Sequence, residues 1–130
     1  MGAKRFQDLI AWQLARELRK YVADAARETP LAKDKGLCDQ MRRAARSATN
    51  NIAEGFPCPS HLEFARFRDM AGRSIREIED GLIEAVDSGL LSQVQAAPGF
   101  NLAKRTSVAI SRLSKYLRET PWHARTPPST

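Results

Sequence analysis

Apolar side chains recur along this chain at three- and four-residue intervals, the spacing that gathers them on one face of an α-helix. Over residues 8–28, Ile10, Leu14, Leu18, Tyr21, Val22 and Ala25 share a stripe, with Arg16, Arg19 and Lys20 away from it. Over 35–54 the stripe is Leu37, Met41, Ala44, Ala45, Ala48 and Ile52, opposite Arg42, Arg43 and Arg46. The longest stretch, 60–88, aligns Phe64, Phe67, Ala71, Ser74, Ile75, Ile78, Leu82, Ala85 and Val86, with Arg66, Arg73, Glu77, Asp80 and Glu84 down its back. Over 101–119, Leu102, Thr106, Ala109, Ile110, Leu113, Tyr116 and Leu117 face inward, and Lys104, Arg105, Arg112, Lys115 and Arg118 face outward. No segment alternates apolar and polar residues with period two for long enough to make a strand.

The breaks between these stretches carry the expected punctuation: Pro30 and Gly36, then Gly55 with Pro57–Cys58–Pro59, then Gly89 with Pro98–Gly99, and finally Pro121. Ser60 with Glu63 three residues later has the spacing of a capping box. Four amphipathic helices on short connections predict an all-α, antiparallel, up-down-up-down bundle over residues 1–120, with 121–130 as a flexible tail. Residues 92–100 read either as a loop or as a ragged start to the fourth helix. Leu9 and Trp12 fall off the first stripe, so they either cover the end of the bundle or sit in a subunit interface, where exposed Trp is enriched.

Composition narrows the picture further. At 130 residues, 42 % apolar and 28 % charged, the chain fits one globular domain. It has no apolar run near the ~20 residues of a membrane span, and residues 1–8 lack a signal-peptide block, so a cytoplasmic protein with no membrane role is expected. The net charge of +6 is uneven, because residues 57–90 sum to −3 and residues 91–130 to +5. Such a distribution either pairs surfaces within or between subunits or leaves a basic face for phosphate.

Catalytic and metal-binding patterns are not apparent. A di-iron bundle needs Glu-x-x-His on two of its helices, and neither His61 nor His123 closes that motif. Cys38 and Cys58 make no disulfide framework and no zinc spacing, and idle thiols in a reducing compartment are expected. No cofactor or metal is implied, and an enzyme is not expected. Gly72, beside Ala71 and Ser74, is expected to let another helix approach. Asn51 and Glu54, next to Gly55, read as structural, since a carboxylate at a helix C-terminus opposes the macrodipole and needs a local partner. The binding candidates are Arg42, Arg43 and Arg46, whose guanidinium forks suit phosphate geometry, with Lys104, Arg105 and Arg112 as a second row.

Several of these motifs together resemble a known family. The opening around Phe6, Leu9, Trp12, Gln13 and Ala15 is one. Gly36, Leu37, Gln40, Met41, Arg42, Arg43 and Ala44 form a second. The stretch 47–55, with Asn51, Ile52, Ala53, Glu54 and Gly55, is the most characteristic, and Phe64, Phe67, Ala71, Gly72, Ser74 and Glu77 complete the order. Over about residues 6–119 the chain resembles the four-helix bundle proteins associated with 23S ribosomal RNA intervening sequences. That resemblance implies an antiparallel bundle assembling as a homo-oligomeric ring, commonly a pentamer. A related branch, the accessory variability determinants of diversity-generating retroelements, works with a reverse transcriptase and binds nucleic acid, which implies RNA or DNA as a partner. The chain departs from the family pattern at Thr49, often proline there, and at Cys58–Pro59, usually polar or basic.

Overall fold

The computed structural model describes residues 5–57 and 60–120. The expected tail at 121–130, with His123, and the Cys58–Pro59 pair lie outside the described residues. Four helices run in order: α1, Ile10–Glu28; α2, Lys35–Gly55; α3, His61–Asp87; α4, Gln93–Glu119. Short 3-10 turns, Phe6–Asp8 and Pro30–Lys33, precede α1 and α2.

The helix ends follow from local side-chain chemistry. Asp34 accepts from the Leu37 amide at 3.0 Å and starts α2, and the Ser60 hydroxyl accepts from Glu63 N at 3.2 Å and starts α3. Each supplies an acceptor to an amide that has no partner within its helix. At its far end α3 closes in a Schellman motif: Leu90 N–H donates to Ala85 O at 2.8 Å and Gly89 N–H to Val86 O at 3.1 Å. Gly89, at φ 74°, supplies the left-handed residue this closure needs.

The fourth helix starts earlier than its sequence pattern shows. The Pro98–Gly99 pair reads as a break, yet α4 runs through it from Gln93. A full capping box drives this: Gln95 N–H donates to Ser92 Oγ at 3.0 Å, and Ser92 N–H donates to Gln95 Oε1 at 2.9 Å. Pro98 removes one amide donor near the exposed start of the helix. Gly99 is buried where a Cβ would meet the Tyr21 ring and, at 2.9 Å, Leu82 Cδ1. That close approach lets the Tyr21 hydroxyl donate to Gln95 O at 2.8 Å, tying α1 to α4.

The helices pack as a square in which α1 and α3 each contact both α2 and α4. Short connections make neighbouring helices antiparallel, and the cross-links agree: Arg68 early in α3 meets Ser114 late in α4, Tyr21 in the second half of α1 meets Gln95 at the start of α4, and Arg19–Thr49 and Ser74–Ser47 tie the helices nearer their middles. The expected stripes form the core. Leu18, Leu82, Ile75 and Ile78 are each 0 % exposed, and burying side chains of this size stabilises by about 1.5–3 kcal/mol apiece.

The first stripe needs one correction. Ile10, expected inward, is 68 % exposed, while Leu9, expected off the stripe, is 2 % exposed. Leu9 is the N-cap of α1, with extended backbone at φ −72° and ψ 130°, so helical phase does not govern its direction. Trp12 is half-buried, with its ring stacked 5.3 Å from Phe6 and the Arg16 guanidinium 5.7 Å above it.

Candidate nucleic-acid interface

Both rows of candidate cations are exposed, but the bundle keeps them apart. Arg42, Arg43 and Arg46 lie on the outer face of α2, and Lys104, Arg105 and Arg112 on that of α4. These two helices occupy opposite corners of the square, so the six side chains form two faces, not one. Within the α2 row, Arg42 Nη1 stands 3.7 Å from Asp39 Oδ1, an exposed pair one turn apart that holds its partner weakly. Arg43 and Arg46 enter no ion pair among the described residues, nor do Lys104, Arg105 and Arg112.

The α4 row rims a groove of about 860 Å³ between the start of α1 and the middle of α4. Leu9, Ala11 and Leu14 from α1 and its approach, with Ala109 and Leu113 from α4, line its apolar floor. Ile10 and Val108, 68 % and 43 % exposed, stand at its surface. Val108 is ringed on its own helix by Lys104, Arg105 and Arg112 at the one-turn positions. The off-stripe pair divides here: Leu9 belongs to the core of its own chain, and Trp12 keeps a part-exposed ring next to Phe6.

The characteristic stretch of α2 builds a polar seam against α3. Asn51 is 6 % exposed, and its Nδ2 donates to Ser47 O at 2.8 Å and Ser47 Oγ at 3.0 Å. Ser74 Oγ lies 3.0 Å from Met70 O and 2.9 Å from Ser47 Oγ. A carbonyl can only accept, so Ser74 donates to Met70 O, and Ser47 donates to Ser74 while accepting from Asn51. The sequence signals Asn51 and Ser74 but misses Ser47, the residue that joins them. Glu54 is exposed on the last turn of α2. Gly55, beside it, lies under the third helix: an added Cβ would come 2.7 Å from Phe67 Cβ and 2.9 Å from Phe64 Cδ1. Among the described residues no other helix comes close to Gly72; what lies over it is the Arg76 guanidinium, 3.6 Å from where a Cβ would stand.

Two titratable groups inside the bundle depart from their ordinary values. Burial pushes the Cys38 thiol up from its ordinary value, with nearby Arg42 opposing and Asp34 and Asp39 reinforcing that shift. The thiol donates to Leu31 O at 3.2 Å. Burial likewise raises the Tyr21 phenol. Among the described residues no three His, Cys, Asp or Glu side chains gather where a metal ion could be held. No helix among them is long and apolar enough to cross a membrane. Arg73 with Glu77 and Arg76 with Asp80 stand one turn apart on α3 but form no ion pair among the described residues, where the pairs of α3 reduce to Arg68–Asp69 at 3.1 Å.

These features define a class: a small all-α bundle of four antiparallel helices with cationic outer faces on two opposite corners. A protein-family model described as 23S rRNA-intervening sequence protein matches residues 7–112, well over half of the chain, and the protein belongs to that family. No curated protein matches the chain.

Proposed function

We propose that the chain is the subunit of a non-enzymatic, cytoplasmic, homo-oligomeric ring, a pentamer, that binds RNA or single-stranded DNA through its basic helix faces. A partner that handles nucleic acid, such as a reverse transcriptase, is the alternative occupant of those faces. The observation that carries this reading is that all six cations are exposed while, among the described residues, only Arg42 has even a loose carboxylate partner. Unpaired guanidinium and ammonium groups displace condensed counterions from a phosphate backbone, which is the main source of sequence-independent affinity. A ring repeats each row around its axis, and each subunit adds a formal +6, so the local potential exceeds what one chain produces.

A scaffold with no nucleic-acid role is the second reading, and the α1/α4 groove favours it. Ile83 on α3 is 50 % exposed and is ringed by Glu79, Asp80 and Asp87 at the one-turn positions. That pattern is the charge complement of Val108 with Lys104, Arg105 and Arg112, and a head-to-tail contact of the two would close a ring if the rotation permits.

Two variants separate the readings in salt titrations of RNA binding. Arg42→Gln/Arg43→Gln/Arg46→Gln should weaken binding and leave the oligomer intact by light scattering. Lys104→Gln/Arg105→Gln/Arg112→Gln should weaken binding too if α4 touches nucleic acid, and should break the oligomer if α4 serves assembly. A parent protein that binds no RNA at low salt leaves the scaffold reading in its place.

A further inference from the structure

A third concentration of cations lies in neither row. Between α3 and α4 runs a groove of about 410 Å³ into which α3 sends Arg68, Arg73 and Arg76. From α4 come Ser107 and Ser111, one turn apart, with Ile110 between them. The arginines are not equivalent. Arg68 is already engaged, its Nε on Asp69 Oδ1 at 3.1 Å and its Nη1 donating to Ser114 Oγ at 2.9 Å. Arg73 and Arg76 enter no ion pair among the described residues, so the groove retains two uncompensated guanidinium charges. Gly72 gives them room: the Arg76 guanidinium lies back over it, 3.6 Å from where a Cβ would stand.

We propose that this groove is a phosphoryl-binding site. The argument is one of donor chemistry. Arg73 and Arg76 offer planar N–H forks that match the oxygens of a phosphate, and charge-assisted bonds of this kind are about twice as strong as neutral ones. The Ser107 and Ser111 hydroxyls supply donors from the facing helix, so an anion in the groove meets both walls. The Asp69 carboxylate lines the groove as well, and its pairing to Arg68 spends the repulsion it would otherwise exert on an anion. A groove this open admits either a small phosphate ester or one phosphate of a nucleic-acid backbone. The proposal stands apart from the two cation rows, since it uses none of their residues.

Isothermal titration calorimetry at low salt, on the full chain, tests it with three probes: inorganic phosphate, pyrophosphate and an oligothymidylate. Arg73→Gln/Arg76→Gln should weaken every probe that binds the parent by about tenfold or more, since each charge-assisted hydrogen bond lost costs about that much. The charge-matched Lys20→Gln/Lys33→Gln, at two exposed positions outside every cation row, should leave pyrophosphate unaffected. Gly72→Leu keeps the charge but fills the floor beneath Arg76; it should weaken pyrophosphate while thermal melts show an intact fold. Pyrophosphate binding that Arg73→Gln/Arg76→Gln loses, without oligothymidylate binding in the parent, upholds the groove for small phosphates and removes the nucleic-acid reading. Oligothymidylate binding alone, lost in Arg73→Gln/Arg76→Gln, upholds it for backbone phosphates. If this variant leaves oligothymidylate binding and any pyrophosphate binding both intact, the groove is overturned and the nucleic-acid reading is kept for the two cation rows. The groove is also overturned if the parent binds no probe, or if the charge-matched control loses pyrophosphate equally.

Discussion

Gly55→Ala tests the packing of the characteristic α2 stretch against α3. A helical Gly→Ala change is ordinarily favourable by up to about 1 kcal/mol, because alanine loses less backbone entropy. At Gly55 the new methyl would stand 2.7 Å from Phe67 Cβ and 2.9 Å from Phe64 Cδ1. Carbon atoms prefer a separation of about 3.5–4.0 Å, so roughly 1 Å must be found. Phe67 Cβ is fixed to its backbone, and Phe64 is 1 % exposed in the core. Neither can swing aside, so α3 itself must shift. Overpacking of this sort costs about 1–3 kcal/mol. Set against the propensity gain, a net loss of about 1–2 kcal/mol is expected. Gly36→Ala is the internal control, because Gly36 is exposed and its nearest neighbour, Asp34 Oδ1, would be 3.7 Å from the methyl. Urea melts followed by far-ultraviolet circular dichroism should place Gly55→Ala below the parent and Gly36→Ala level with it or above. If Gly55→Ala proves as stable as Gly36→Ala, the close approach of α2 and α3 at Phe64 and Phe67 is not real.

Further expectations cover the core, the α1–α4 tie and the α3 phase. Leu82→Ala, at a site 0 % exposed, should lose about 2–5 kcal/mol, whereas exposed Arg66→Ala should stay within roughly 0.5 kcal/mol unless a neighbouring subunit covers it; equal losses in denaturant melts would show the phase of α3 to be wrong. Tyr21→Phe should lose about 0.5–1.5 kcal/mol with the 2.8 Å bond to Gln95 O. Burial raises the Tyr21 pKa in the folded state, so its protonated form is favoured there; the associated stability is complete below the unfolded value near 10.0 and is lost as pH rises through the folded one. Melts at alkaline pH should therefore decline less steeply in Tyr21→Phe than in the parent, and parallel declines would remove that assignment. Ser47→Ala should destabilise more than Ser107→Ala, because Ser47 is the shared member of the Asn51–Ser74 seam and Ser107 is exposed; comparable midpoints would count against the seam.

Four helices and their inward faces are legible in the sequence because one physical signal, apolar spacing, dominates each stretch. The signal weakens where geometry is not helical. Leu9 and Ile10 exchange burial because Leu9 is an extended N-cap, a state periodicity does not encode. Residues 93–100 were masked in the pattern by Pro98–Gly99, although Ser92 and Gln95 carry the capping signal. The candidate site was legible only in parts. Exposure of the six cations follows from helical phase, but their separation onto opposite corners depends on the order of helices around the bundle, which one chain's pattern does not specify. Arg73 reads only as part of the charged back of α3, and Arg76 with the facing Ser107 and Ser111 becomes relevant only once α3 and α4 are packed together.

The central claim, nucleic-acid binding through exposed cations on an oligomer, is tested most directly by one salt titration. The logarithm of the affinity of the purified parent oligomer for single-stranded RNA should fall linearly with the logarithm of salt concentration, with a slope of about −0.7 for each phosphate contacted. The account predicts a measurable slope in the parent and a shallower one in Arg42→Gln/Arg43→Gln/Arg46→Gln, with the same mass by light scattering. No binding at low salt, or a single-chain mass of 14.5 kDa at micromolar concentration, would contradict it.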